Sequence, residues 1–324
     1  MQLNQLARRF NKRLAFFCLF FSATTFANAE ALAFISNQLA HNVSVIDLAQ
    51  DKVIKSISVG KNPAGVAICN QGQQVIVTSP EEKRLFIIDV ASLQVETSIE
   101  VGQGPLGVAC TVSGTLAYVA DWYNQNVSII DIKQKRILNT IKVGESPAGL
   151  VIDEHQQRLY VANRDSDSVS VVDLKKQRVI AEISVGDAPF GLSLSPDGKR
   201  LFAVNVRSAS VSVINTETLK RINDLSVGEW PYCAVVNPAG TKLYVTNQEE
   251  DSVSVIDMKE NKLIAVIDVG ETPEGIDITA DGTKLIVANW GEGSISIINS
   301  ETLKTEKVIS TGKGSRAFGR FITP

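Results

Sequence analysis

The sequence predicts an all-β fold, a seven-bladed β-propeller of 42-residue four-stranded repeats closed by the C-terminal strand completing the first blade. Three observations predict it: a fixed period, strand-and-turn composition within each period, and no helical periodicity between residues 30 and 324. Turn glycines stand at Gly60, Gly102, Gly144, Gly186, Gly228, Gly270 and Gly312, each 42 residues after the last. Val43-Ser44-Val45-Ile46-Asp47 returns at the same spacing as LFIID, VSIID, VSVVD, VSVIN, VSVID and ISIIN. A third series ends at Asn37, Ser79, Asp121, Asn163, Asn205, Asn247 and Asn289.

Each unit holds four short runs rich in Val, Ile, Leu, Tyr and Thr, separated by Gly, Pro, Asn and Asp. In one unit these runs are 191–195, 200–205, 210–215 and 221–227, with the tight-turn sequence Ser195-Pro196-Asp197-Gly198 between the first two. Four strands in about 40–45 residues is the size of a propeller blade. The repeat region begins on a second-strand segment, Ala33 to Asn37, and ends on a first-strand segment, Ala317 to Ile322, with no successor. Pairing the two closes the ring and completes one blade from both ends of the chain.

Residues 1–29 read as a signal peptide. Arg8, Arg9, Lys12 and Arg13 precede an apolar run from Leu14 to Phe26, and Ala27-Asn28-Ala29 supplies a small-residue cleavage site. The run is shorter than the roughly 20 residues of a spanning helix. The expected mature chain starts at Glu30, forms a single propeller over 30–324, resides in the periplasm and has no membrane span after cleavage. Of the 32 basic and 35 acidic residues, cleavage removes four basic ones, which leaves 28 against 35 and a net charge of −7. That field disfavours nucleic acid as a partner.

Tyr244-Val245-Thr246-Asn247, with V-S-V-I-D and V-G-x-x-P-x-G at fixed offsets, resembles the YVTN β-propeller repeat family of bacterial and archaeal exported proteins. The similarity covers Glu30 to Pro324, and with the signal peptide it looks like the periplasmic propellers of the YncE type. The resemblance implies the fold strongly and the activity weakly. Related propellers bind cofactors, polymers or partner proteins, and more distant ones are lactonases.

Repeats supply an internal control: positions kept in every copy serve the blade, and positions that vary at the channel mouth can serve a ligand. The Asp or Asn ending each V-S-V-I-D run is expected to be a turn residue bonded to nearby backbone. The residues after each turn proline form a variable ring: Ala64, Leu106, Ala148, Phe190, Tyr232, Glu274 and, without a proline, Arg316. A second ring follows the YVTN-like runs: Gln38, Pro80, Trp122, Arg164, Val206, Gln248 and Trp290. Phe190, Tyr232, Glu274 and Arg316 are consecutive in the first ring, Trp290 shares the Glu274 blade, and Trp230 lies in the adjoining turn. An aromatic wall beside a carboxylate and a guanidinium suits a ligand site. These mouth positions are expected to tolerate substitution without loss of blade stability.

Ligand binding is therefore expected at Trp122, Arg164, Phe190, Trp230, Tyr232, Glu274, Trp290 and Arg316, for a small molecule, a polymer or a periplasmic protein. No cofactor is indicated. His41 and His155 are the sole histidines, no paired-cysteine or calcium-loop spacing is present, and no metal site is expected. Two alternatives use the same mouth: a lactonase or ester-type hydrolase with Glu274 and Arg316, and single-stranded nucleic-acid binding through Trp122, Trp290, Arg164 and Arg316. Cys233 replaces a repeat glycine beside Tyr232 but has no histidine in its own blade, so no nucleophilic role is expected. Cys69 and Cys110 lie on innermost strands of neighbouring blades, where a disulfide is compatible with the topology and geometry decides it.

Overall fold

The structure, a computed structural model, describes residues 31–324; the expected signal peptide and Glu30 lie outside the described residues. Seven antiparallel sheets follow one another in chain order, and each runs from an innermost strand at the axis to an outermost strand at the rim. Blade one contains β1 (Leu32–Asn37), β2 (Asn42–Asp47) and β3 (Lys52–Ser58), and blade two opens with β4 (Val66–Cys69). The middle strands are covered on both faces by adjacent blades. That is why the V-S-V-I run of β2 is buried along its length, whereas β3 exposes most of its residues.

The repeated polar residues are scaffold. The carboxylate or amide oxygen of Asp47, Asp89, Asp131, Asp173, Asn215, Asp257 and Asn299 accepts backbone N–H groups two or three residues ahead, closing the turn to the outermost strand in all seven blades. The YVTN-type Asn163, Asn205, Asn247 and Asn289 are buried, and each donates its amide to two serine hydroxyls of the next strand. Such buried amides hold the second and third strands in register.

The C-terminal segment closes the ring as the sequence predicts. Phe34 N–H donates to Phe321 O at 2.9 Å, Thr323 N–H to Leu32 O at 2.9 Å and Arg316 N–H to Ser36 O at 2.8 Å, so the tail runs antiparallel along β1. The tail also does something the sequence did not suggest. Gly319–Arg320 pairs in parallel with Val66–Ala67 of blade two, and positive φ at Ala317 and Gly319 lets it alternate between the two neighbours. Asp277, fully buried on the blade-seven innermost strand, accepts the N–H groups of Phe321 at 2.9 Å and Ile322 at 3.0 Å. Phe321 and Ile322 share one core with residues of blades one, two and seven.

A disulfide joins Cys69 to Cys110 across the second and third blades with a Cα–Cα distance of 5.5 Å, and Cys233 is a free, buried thiol. Around the axis, the innermost strands enclose a channel cavity of about 560 Å³.

Candidate functional site

Five of the six turn prolines begin an innermost strand with a β-bulge; the sixth, Pro63, precedes β4, which pairs with its neighbour in regular register. Pro189 faces Asn205 and Leu192 faces Ala203, so Phe190 and Gly191 together oppose a single residue. The same shift follows Pro105, Pro147, Pro231 and Pro273. The bulge re-aims the residue after the proline towards the axis, and the glycine behind it lets neighbouring strands touch. A Cβ at Gly107 would sit 2.0 Å from Ala148 O, and one at Gly149 would sit 2.3 Å from Phe190 O.

The first ring consequently converges on the axis, where it forms a buried plug rather than an open mouth. Phe190 and Tyr232 stack at 4.1 Å between centroids, and Phe318 meets Phe190 edge-on at 5.3 Å. The Arg316 guanidinium lies 5.3 Å from the Phe318 ring centroid and donates to the Tyr232 hydroxyl. Its Nε is 2.7 Å from Glu274 Oε2, while Glu274 Oε1 accepts from the Gln248 amide at 3.2 Å. Only 14% of the Arg316 side chain and 9% of Glu274 remain exposed. Burial pushes the Glu274 carboxyl above the usual carboxylate range, with Arg316 and the Gln248 amide opposing it. Burial also works against the Arg316 charge, but Glu274 and Tyr232 outweigh it and the guanidinium stays protonated. Burial likewise raises the Tyr232 phenol and the Cys233 thiol.

The expectation that these mouth residues could be changed without touching stability is therefore corrected for Phe190, Tyr232, Glu274 and Arg316. They fill the ring, because seven innermost strands meeting at the axis leave them no solvent to face. Arg164, Trp230 and Trp290 stand apart from that plug, on the surface around it, whereas half-buried Trp122 packs against the apolar cluster that holds Phe190, Tyr232 and Phe318. The Arg164 guanidinium is 5.8 Å from the Trp122 ring centroid and is held by Asp165 at 2.8 Å. Trp290 donates its indole N–H to Gln38 Oε1 at 3.0 Å, which ties the last blade to the first. Trp230 is exposed, as is Tyr123 beside Trp122. Sequence reasoning missed Phe318, which completes the plug, and Asp277, which pins the tail; it placed Gln248 in the second ring without linking it to Glu274. Asp277 is a carboxylate at a strand position held in other blades by Ala67, Ala109, Val151, Ser193 and Val235, and that was the available signal.

The fold defines a closed seven-bladed propeller of YVTN-type repeats. The family model for YNCE-like beta-propellers matches residues 23–115, and the seven-bladed ring supports a YncE-like propeller assignment. A second family model, the cytochrome D1 heme domain, matches residues 112–232. No curated protein matches the chain. Among solved structures, it is similar to hydrazine synthase of Kuenenia stuttgartiensis at 21% identity and a TM-score of 0.74, covering 82% of this chain and 91% of that one. It is also similar to a functionally unknown protein from Desulfotomaculum acetoxidans DSM 771 at 16% identity and a TM-score of 0.77, covering 89% and 99%. A third similar structure is the dihydro-heme d1 dehydrogenase NirN, at 13% identity and a TM-score of 0.67, covering 88% and 74%. At these identities the likeness is one of fold.

The cytochrome D1 match raises the question of a haem-type group, and the described residues do not fit one. His155, the histidine within the matched stretch, is exposed on a turn outside the channel lining, and His41 accepts the Asn62 N–H in a surface loop. Cys233 is buried beneath the plug. No cluster of three or more His, Cys, Asp or Glu suited to a metal occurs among the described residues. No helix among them is long and apolar enough to cross a membrane.

Proposed function

We propose that the protein is an exported periplasmic binding or scaffold propeller that docks a polypeptide partner on the face carrying the turn prolines. One observation supports this reading above the others: all three tryptophans of the sequence stand on that face, and the exposed aromatic side chains among the described residues, Tyr123 and Trp230, are both there. Exposed aromatic anchors mark interaction surfaces. The plug closes the channel at this end, so the face offers a surface rather than a pit. Acidic loops, including Asp165, Asp167, Glu249, Glu250 and Asp251, surround the aromatics, whereas Lys133, Lys135, Lys175 and Lys176 lie on the turns of the opposite face. The partner chemistry that fits is basic and apolar side chains together, and a phosphate backbone would be repelled.

The hydrolase alternative lacks support in the geometry. Glu274 and Arg316 satisfy each other inside the plug, and burial keeps the neighbouring Cys233 thiol protonated. The docking reading is tested by photocrosslinking from position 123 and, as a control, from Val112 on the opposite face. A partner captured from position 123 alone is expected to lose more than ~1 kcal/mol of affinity on Trp122→Ala or Trp230→Ala. Affinity that survives replacement of both would overturn the assignment.

A further inference from the structure

The channel beyond the plug opens on the opposite face and has its own chemistry. Its volume of about 560 Å³ falls within the roughly 300–1,000 Å³ of small-molecule sites. The wall is aliphatic: Ile68, Leu150, Ile152, Leu192 and Leu194 line the cavity and stay partly exposed to it rather than packing fully between blades. Phe318 and Cys233 close the inner end. Ser193 lines the same wall at 8% exposure.

The repeat again acts as an internal control. By the 42-residue period the position of Ile68, Cys110, Ile152, Leu194, Val236 and Ile278 would fall on Arg320, but the tail shifts register by two residues, so Ile322 faces Ala33 as Ile278 faces Leu285. Arg320, paired with β4 beside that ring, is the one basic side chain among the described residues that line the cavity. Packing does not require the cation there, because the Arg320 side chain is 74% exposed. Asp277 fixes it from behind, with Oδ1 3.3 Å from the Arg320 Nε. The Asp277 oxygens are also occupied by the N–H groups of Ile278, Phe321 and Ile322. The carboxylate therefore anchors one edge of the guanidinium and leaves its terminal N–H groups free for an incoming anion.

We propose that this channel binds a single-chain amphiphile with a carboxylate head, the hydrocarbon lying along the aliphatic wall and the head paired with Arg320. An apolar tube favours the chain through burial, and the lone arginine selects the charge and its position at the open end. The site is separate from the aromatic face, so neither assignment depends on the other.

The test is calorimetric titration of the disulfide-intact protein with dodecanoate, dodecanol and dodecyltrimethylammonium, each below its micelle concentration. Dodecanoate is expected to bind at one site and to exceed the other two by roughly tenfold or more, the scale of a charge-assisted hydrogen bond. Arg320→Ala should reduce dodecanoate to the level of dodecanol. Leu194→Trp, which fills the channel, should abolish binding of both, while Leu263→Ala, exposed on an outermost strand, leaves binding unchanged. If Leu194→Trp fails to fold, Ile152→Trp serves the same purpose from another blade. The proposal is overturned by a wild-type protein that does not take up dodecanoate, that binds dodecanol equally well, or that retains binding with the channel filled.

Discussion

Removal of Arg316 should expose how much the plug depends on charge pairing. In Arg316→Leu the Glu274 carboxyl keeps only the Gln248 amide as a polar partner, in a setting where 9% of it was exposed even with the arginine present. Breaking a buried ion pair from one side costs about 3–5 kcal/mol, well above the value of an exposed pair. The double variant Glu274→Leu/Arg316→Leu should recover most of that loss, because a well-packed apolar pair replaces a buried ionic one at little or no cost. Urea unfolding of the four proteins in a double-mutant cycle, followed by tryptophan fluorescence, supplies the coupling energy. The pH dependence has a defined sign. A carboxyl whose folded pKa lies above its unfolded value binds more protons when folded, so stability falls as pH rises between the two values. Burial raises Glu274, and loss of the arginine raises it further. The deficit of Arg316→Leu should therefore be largest at neutral pH and shrink in acid, where the carboxyl is protonated. A variant as stable as wild type at pH 7, or a deficit that does not change in acid, would refute this account.

Three further outcomes follow from the closure and the cysteines. The Cys69–Cys110 bond spans 41 positions, for which chain entropy predicts about 4 kcal/mol; its reduction should lower the melting temperature by about 6 °C in calorimetry, and an unchanged transition would count against it. Thiol counting on denatured, unreduced protein cleaved after Ala29 should find one free cysteine, Cys233, and that thiol should resist alkylation in the native state because burial holds it protonated. Asp277→Ala strands the N–H groups of Phe321 and Ile322 and should cost about 2–4 kcal/mol in urea titration. Truncation before Ala317 should cost more, and a normal unfolding midpoint in either variant would disprove the latch.

The sequence by itself determined the blade. Period, strand runs, the Asx turns after V-S-V-I-D and the closing role of residues 317–322 are properties of adjacent residues, and local chemistry repeated seven times made them legible. It also placed Cys69 and Cys110 on neighbouring strands, though bond formation depended on a Cα separation that only the packed blades provide. What the tertiary structure decided lies on the axis. The ring of Phe190, Tyr232, Glu274 and Arg316 was readable as a set, but its burial was not. Whether a ring residue faces solvent depends on how far seven innermost strands converge and on which side chains arrive from other blades. Phe318 completes the plug from a position no local pattern links, Gln248 of the second ring reaches Glu274 of the next blade, and Trp290 reaches Gln38 across 252 residues. The open end of the channel was decided in the same way. Large side chains fill the axis at the turn-proline end, and mostly aliphatic ones line it at the other, a difference that becomes physical only once all seven strands stand side by side.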